Sequence, residues 1–291
     1  MRSILRLTVA SMVAGATLTA CRPDTVIATE DIPTAGVRFI NASPDTSGAF
    51  GVDFRFVDLV ESNAQFRHTF RSGPTTSGGV TASTLVQYKP ARAGSRSYSV
   101  FLDDTIQTIA STKVFSGTAN LTAGTNYTYI MWGQGRTETL KLGSWEETTT
   151  VPSGKVAIRV INATETPIDV SYFTTGGTAP ATPSWAAVPG LSKSNYINVD
   201  PASITFNVKA AGSSTNLFNN LLALPGSAAS STAGAGGKLD ISSTPGTTVA
   251  GSAISLIVFP RSTAGSRAPQ ASAFTAPAGT FVWDVRPPRG F

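Results

Sequence analysis

Val37-Arg38-Phe39-Ile40-Asn41-Ala42-Ser43 and Ile158-Arg159-Val160-Ile161-Asn162-Ala163-Thr164 are one phrase written twice, at an offset of 121 residues. The echo continues: Val52-Asp53-Phe54 answers to Ile168-Asp169-Val170, with a longer insertion in the first copy. Further on, Ser97-Tyr98-Ser99-Val100-Phe101 is set against Ile204-Thr205-Phe206-Asn207-Val208. The run Leu121 to Trp132 is set against Pro245-Gly246-Thr247 and Ile254–Phe259. A unit of about 110–120 residues used twice fits two sandwich-sized domains.

Within each copy the apolar residues alternate. Val52, Phe54 and Phe56 do so, as do Tyr127, Tyr129 and Met131, and Ile204, Phe206 and Val208. Period-2 runs of Val, Ile, Thr, Tyr and Phe, broken by Gly, Pro, Asn and Ser, predict antiparallel strands with one wet face. No sustained 3.6-residue apolar period follows residue 21. The expectation is an all-β chain of two tandem Ig-like antiparallel β-sandwiches, at 36–150 and 155–291. The second ends in a strand, Phe281–Val285, and a tail. The boundary falls in the polar stretch Thr148 to Gly154. The Ala/Ser/Gly-rich segment Gly226–Gly237 reads as a flexible loop.

The opening Val-Arg-x-Ile-Asn-Ala-Ser-Pro, the hydrophobic-Asp-hydrophobic strand and Leu121-Thr122-Ala123-Gly124-x-x-Tyr127-Thr128 together resemble the domain of unknown function family 4397. The resemblance covers residues 36–147 well and 155–260 less well. In the second copy Thr164-Glu165 replaces Ser-Pro, and Ala-Gly-x-x-Tyr-Thr is degraded. The resemblance implies an exported bacterial protein, often a lipoprotein, with two or more β-rich copies. It implies no catalytic residues.

Arg2 and Arg6, then an apolar run through Ala16, then Leu18-Thr19-Ala20-Cys21 read as an export signal over residues 1–20. Leu-Thr-Ala-Cys resembles the lipobox of bacterial lipoproteins. It implies a diacylglyceryl thioether on Cys21, the chain's only cysteine, and a membrane contact through that lipid. Residues 21–35 form a polar tether. Arg22 rather than Asp after the cysteine is compatible, by analogy with enteric lipoproteins, with the outer membrane. The exported part carries a net charge of only +3 without clustered Lys/Arg, which argues against nucleic acid.

Asn41 and Asn162 are placed to cap turns through side-chain to backbone bonds, and Asp53 and Asp169 to pair with Arg38 and Arg159 on neighbouring strands. Catalytic constellations are missing. His68 is the only histidine, no Gly-x-Ser-x-Gly elbow or Ser-x-x-Lys occurs, and acid pairs are scattered. No metal site or cofactor is expected. Trp132, Trp145 and Trp283 read as core or inter-sheet residues. Trp185, in Pro183-Ser184-Trp185, reads as the most exposed tryptophan and the one candidate ligand-binding residue. These observations point to a non-enzymatic, lipid-anchored cell-envelope module whose loops bind an envelope protein or a glycan. The alternative is a carbohydrate-binding module or weak carbohydrate-active enzyme.

Overall fold

The computed structural model describes residues 32–44, 52–59, 70–72, 87–102, 105–134, 139–234, 237–261 and 276–287. The export signal, Cys21, most of the tether and His68 lie outside them. Residues Thr34–Phe291 form one compact unit.

Strands dominate, as the alternation predicts. The first half contributes β1 (Thr34–Asn41), β2 (Val52–Phe56), β3 (Phe70–Ser72), β4 (Lys89–Arg92), β5 (Gly94–Leu102), a one-turn helix α1 (Gln107–Ala110), β6 (Lys113–Leu121), β7 (Asn126–Trp132) and β8 (Lys141–Glu147). They form a middle sheet in the order β4-β1-β7-β8 and an outer sheet in the order β3-β2-β5-β6. Pro90 sits on the edge strand β4, where its missing N–H costs no ladder bond.

The second half contributes β9 (Val156–Asn162), β10 (Ile168–Thr174), β11 (Trp185–Val188), β12 (Ser192–Lys193), β13 (Ile197–Val199), β14 (Ile204–Ala210), β15 (Asn216–Leu222), β16 (Ser230–Gly234), β17 (Gly237–Ile241), β18 (Ala253–Phe259) and β19 (Ala278–Val285). Its middle sheet runs β12-β9-β18-β19, with β13 also on β9; its outer sheet runs β11-β10-β14-β15. Strand for strand, this is the order of the first half.

Three apolar layers join the four sheets. Val37, Phe39, Phe54, Val100 and Tyr129 fill the first sandwich. Ile158, Val160, Val170, Phe206, Val208 and Leu256 fill the second. Ile40, Ala42, Ile130 and Trp132 meet Ile161, Ala163, Ile257, Phe259 and Val282 in the third, which lies between the two middle sheets. The central strands of the middle sheets therefore have no wet face, contrary to the expectation from alternation. β9 and β18 are buried along their whole length. Each middle sheet also contains one parallel pair, β1 with β7 and β9 with β18. Strands buried on both faces read as near-continuous apolar runs, and Val156–Ile161 and Ile254–Phe259 do so, each broken by a single polar residue, Arg159 and Ser255.

Three further expectations need correction. Gly226–Gly237 is no structureless loop: it carries β16, which forms an antiparallel hairpin with β17 in the register Ser230↔Ile241. The match of Ser97–Phe101 to Ile204–Val208 is one residue out. Phe54 faces Val100 and Val170 faces Val208, so Tyr98 corresponds to Phe206. In β14, Ile204, Phe206 and Val208 are buried as the register predicts, but the other face is not fully wet. Thr205 is buried there within hydrogen-bond distance of Thr175, while Asn207 and Lys209 are half-buried.

Candidate functional site

Arg38 and Arg159 are among the largest fully buried side chains of the molecule. Alternation turns Val37 and Phe39 into the first sandwich and Arg38 away from it, into the layer between the middle sheets. Arg159 does the same on β9. A buried guanidinium is tolerable only when paired and hydrogen-bonded. Here the partners come from both halves.

Arg38 Nη2 donates to Glu147 at 3.2 Å and to Asp284. Arg159 Nη2 donates to Glu147 at 2.7 Å and to Asp284 at 3.2 Å. Arg38 Nε donates to Thr128 Oγ1 at 2.8 Å, and that hydroxyl donates on to Glu147 at 2.7 Å. Arg159 Nε donates to Ser255 Oγ at 2.7 Å, and that hydroxyl donates on to Asp284 at 2.6 Å. Tyr88 lies under the Arg38 guanidinium at 4.6 Å and Tyr196 under that of Arg159 at 4.5 Å. Trp145 Nε1 also donates to Glu147, and Tyr196 Oη to Asp284. Arg38 Nη1 completes its fork on the Trp283 carbonyl at 3.1 Å.

Strand register produces this reciprocity. Thr128 stands opposite Trp145, and Glu147 lies two residues on, on the same face. Ser255 stands opposite Val282, and Asp284 lies two residues on. Gly143 gives Trp132 its room: a Cβ there would come within 2.6 Å of the indole.

The electrostatics favour fixed charge. Burial opposes the charge on Arg38, but Tyr88, Asp284 and Glu147 outweigh it and hold the pKa above its ordinary value. Burial likewise opposes Arg159, and Asp284, Tyr196 and Glu147 raise it. Burial works to raise the Asp284 carboxyl, yet Arg159, Arg38 and the Ser255 and Tyr196 hydrogen bonds bring it below the usual range. Burial pushes the Tyr88 and Tyr196 phenols up, with Asp284 adding to both. Two guanidinium and two carboxylate groups balance, and the tyrosines stay neutral. Such a cluster holds surfaces in register. Among the described residues, no group of three or more His, Cys, Asp or Glu side chains is placed to hold a metal ion.

The expected Asp53–Arg38 and Asp169–Arg159 pairs do not form. β1 and β2 belong to opposite sheets, so Arg38 and Asp53 point out of the sandwich in opposite directions. Asp53 accepts from Arg55 Nε at 2.7 Å. Asp169 accepts from the Ala187 and Gly212 amides at 2.7 and 2.9 Å. The asparagines do cap their turns: Ser43 N donates to Asn41 Oδ1 at 3.1 Å and Thr164 N to Asn162 Oδ1 at 3.0 Å.

Trp185 is not in an exposed loop. It is 8% exposed on β11, its ring packs near Tyr172 and Phe206, and Nε1 donates to the Asn195 carbonyl. Its surface is spent in the second core rather than offered to a sugar. The residues of the charge cluster, Tyr88, Thr128, Glu147, Tyr196, Ser255 and Asp284, were not identified from sequence. The usable signal was Arg38 and Arg159 at one position of the repeated phrase, each inside an apolar strand.

No curated protein matches the chain. A family profile does: residues 35–171, from β1 into β10, match the family described as Domain of unknown function (DUF4397).

Proposed function

We infer that the protein is an exported, lipid-anchored cell-envelope protein built from two copies of the DUF4397 unit, which serves as a rigid, non-enzymatic binding or structural module. The observation that carries the anchor is Leu18-Thr19-Ala20-Cys21, which places the chain's single cysteine directly behind an apolar segment flanked by arginine. A diacylglyceryl group on that sulfur, with an acylated new N-terminus, supplies the two or more chains that stable membrane attachment requires. Arg22 favours the outer membrane. The matching strand orders of the two halves support duplication of the unit. The shared buried charge cluster supports rigidity: two sandwiches locked together present their loops at fixed spacing to an envelope protein or glycan.

Metabolic labelling with an alkyne fatty acid, followed by membrane fractionation, tests the anchor. Wild type should incorporate label and pellet with washed membranes. Cys21→Ser should lose the label and either remain uncleaved or become soluble. A Cys21→Ser protein that pellets as wild type does would overturn the reading.

A further inference from the structure

The layer between the middle sheets has the form of a contact between two identical subunits. In a two-fold interface residue i of one subunit meets j of the other, and j meets i. Arg38 of the first half meets Asp284 of the second, while Arg159 of the second half meets Glu147 of the first. The supporting groups follow the same exchange. Thr128 and Ser255 relay to the carboxylates, and Tyr88 and Tyr196 lie under the guanidiniums. Ile40, Ala42 and Ile130 occupy the places that Ile161, Ala163 and Ile257 occupy opposite.

We propose that the middle-sheet face of the first half is self-complementary: freed of the second half, it takes a second copy of this chain through the same face. Each chain would bring one Arg38 and one Glu147, so two cations and two anions would again meet at the centre. Each Arg38 would bridge its own Glu147 and the other chain's, as it now bridges Glu147 and Asp284. The apolar ring of Ile40, Ala42 and Ile130 would face its own kind, as it faces matching residues now. Only Trp132 and Trp145 would meet larger partners than Phe259 and Val282. The intact chain is thus a dimer closed on itself, and the second copy competes with its own second half for one surface. This proposal is independent of the lipid anchor.

The test uses the full chain carrying Cys21→Ser, with the second half's face blocked by Arg159→Glu. The core of the second sandwich uses Ile158 and Val160, on the other side of β9, and is left intact. Sedimentation equilibrium should show the parent as a monomer and Arg159→Glu as a dimer of twice the mass. Adding Arg38→Glu to the blocked chain should return it to a monomer. Ile257→Asp blocks the same face from β18 without touching the cluster, and should also double the mass. It replaces Arg159→Glu if that variant loses its far-ultraviolet strand signal. A folded, blocked chain that stays monomeric overturns the proposal. So does a dimer that survives Arg38→Glu, or open-ended aggregation, since a two-fold contact closes at two.

Discussion

Arg38 on β1 and Asp284 on β19 pair in the buried layer between the middle sheets, 246 residues apart in sequence. The pair ties the first strand of the unit to the last. A buried ion pair is costly to break from one side, because the remaining partner stays buried and uncompensated. Asp284→Asn should therefore lower stability by about 3–5 kcal/mol in urea unfolding. Replacing all four charges together, with Arg38→Met, Arg159→Met, Glu147→Leu and Asp284→Leu, should cost less than that single change. A fourfold variant that loses more would show that the cluster stabilises the fold as well as fixing its register.

Acid should act through the same carboxylate. Asp284 titrates below the usual range when folded, so the unfolded chain binds its proton first as pH falls. Its contribution is complete above the ordinary aspartate pKa of about 4 and is lost as pH falls through the lower folded value. Asp58, held down chiefly by its hydrogen bonds from Arg96, adds in the same direction. Urea midpoints measured from pH 7 downward should stay level and then fall, and the fall should be shallower in Asp284→Asn. Identical slopes would remove Asp284 from the acid limb.

At the alkaline end, burial pushes the Tyr129 phenol up to about 12, and raises Tyr88 and Tyr196 as well. The unfolded chain ionises these groups near pH 10, so their contribution is present below that and lost as pH climbs through the folded values. Spectrophotometric titration should show these three tyrosines ionising late, together with loss of the folded signal. Early ionisation with the fold retained would contradict their burial.

Asp169 stabilises a backbone that alanine adopts reluctantly. Ala187 has φ +49°, and its amide donates to the Asp169 carboxylate. The Gly212 amide shares that carboxylate, so one side chain ties the bulged β11 to the turn after β14. Asp169→Ala should cost about 0.5–1.5 kcal/mol, because both amides are exposed and water takes the place of the lost acceptor. Ala187→Gly should be neutral or stabilise by up to about 1 kcal/mol, because it relieves the left-handed conformation. A clearly destabilised Ala187→Gly would mean that the methyl group contributes packing that outweighs the strain.

The strands and their inward faces were readable because period-2 alternation is local. Phe206 and Val208 are buried as that pattern requires. The layer between the halves was not readable, because it depends on which outward faces meet. Sequence alone points Arg38 to Asp53, the acid on the next strand. Here β2 crosses to the other sheet, and the true partners arrive on β8 and β19 through long-range register. Trp185 misled for a related reason. Its Pro- and Ser-rich approach resembles a loop, yet the chain re-enters the sheet at that residue to pair with Val170.

The capping asparagine of the second half is held at both ends of its amide. Asn162 Nδ2 reaches the carbonyls of Thr166, Val188 and Pro189 at 2.9, 3.0 and 3.0 Å, while its Oδ1 accepts from the Thr164 amide and hydroxyl. One buried amide thereby holds the turn after β9 against the end of β11. Asn162→Ala should leave several buried polar groups unmatched, each costing about 1–3 kcal/mol, so a loss of about 3 kcal/mol or more is expected. Asn162→Asp is the sharper test, because it keeps the shape and the Oδ1 acceptor but turns a carboxylate oxygen toward three carbonyls. It should destabilise at neutral pH and recover on acidification, when the added carboxyl can protonate and donate. An Asn162→Asp variant as stable as wild type at neutral pH would show that the Nδ2 contacts contribute little.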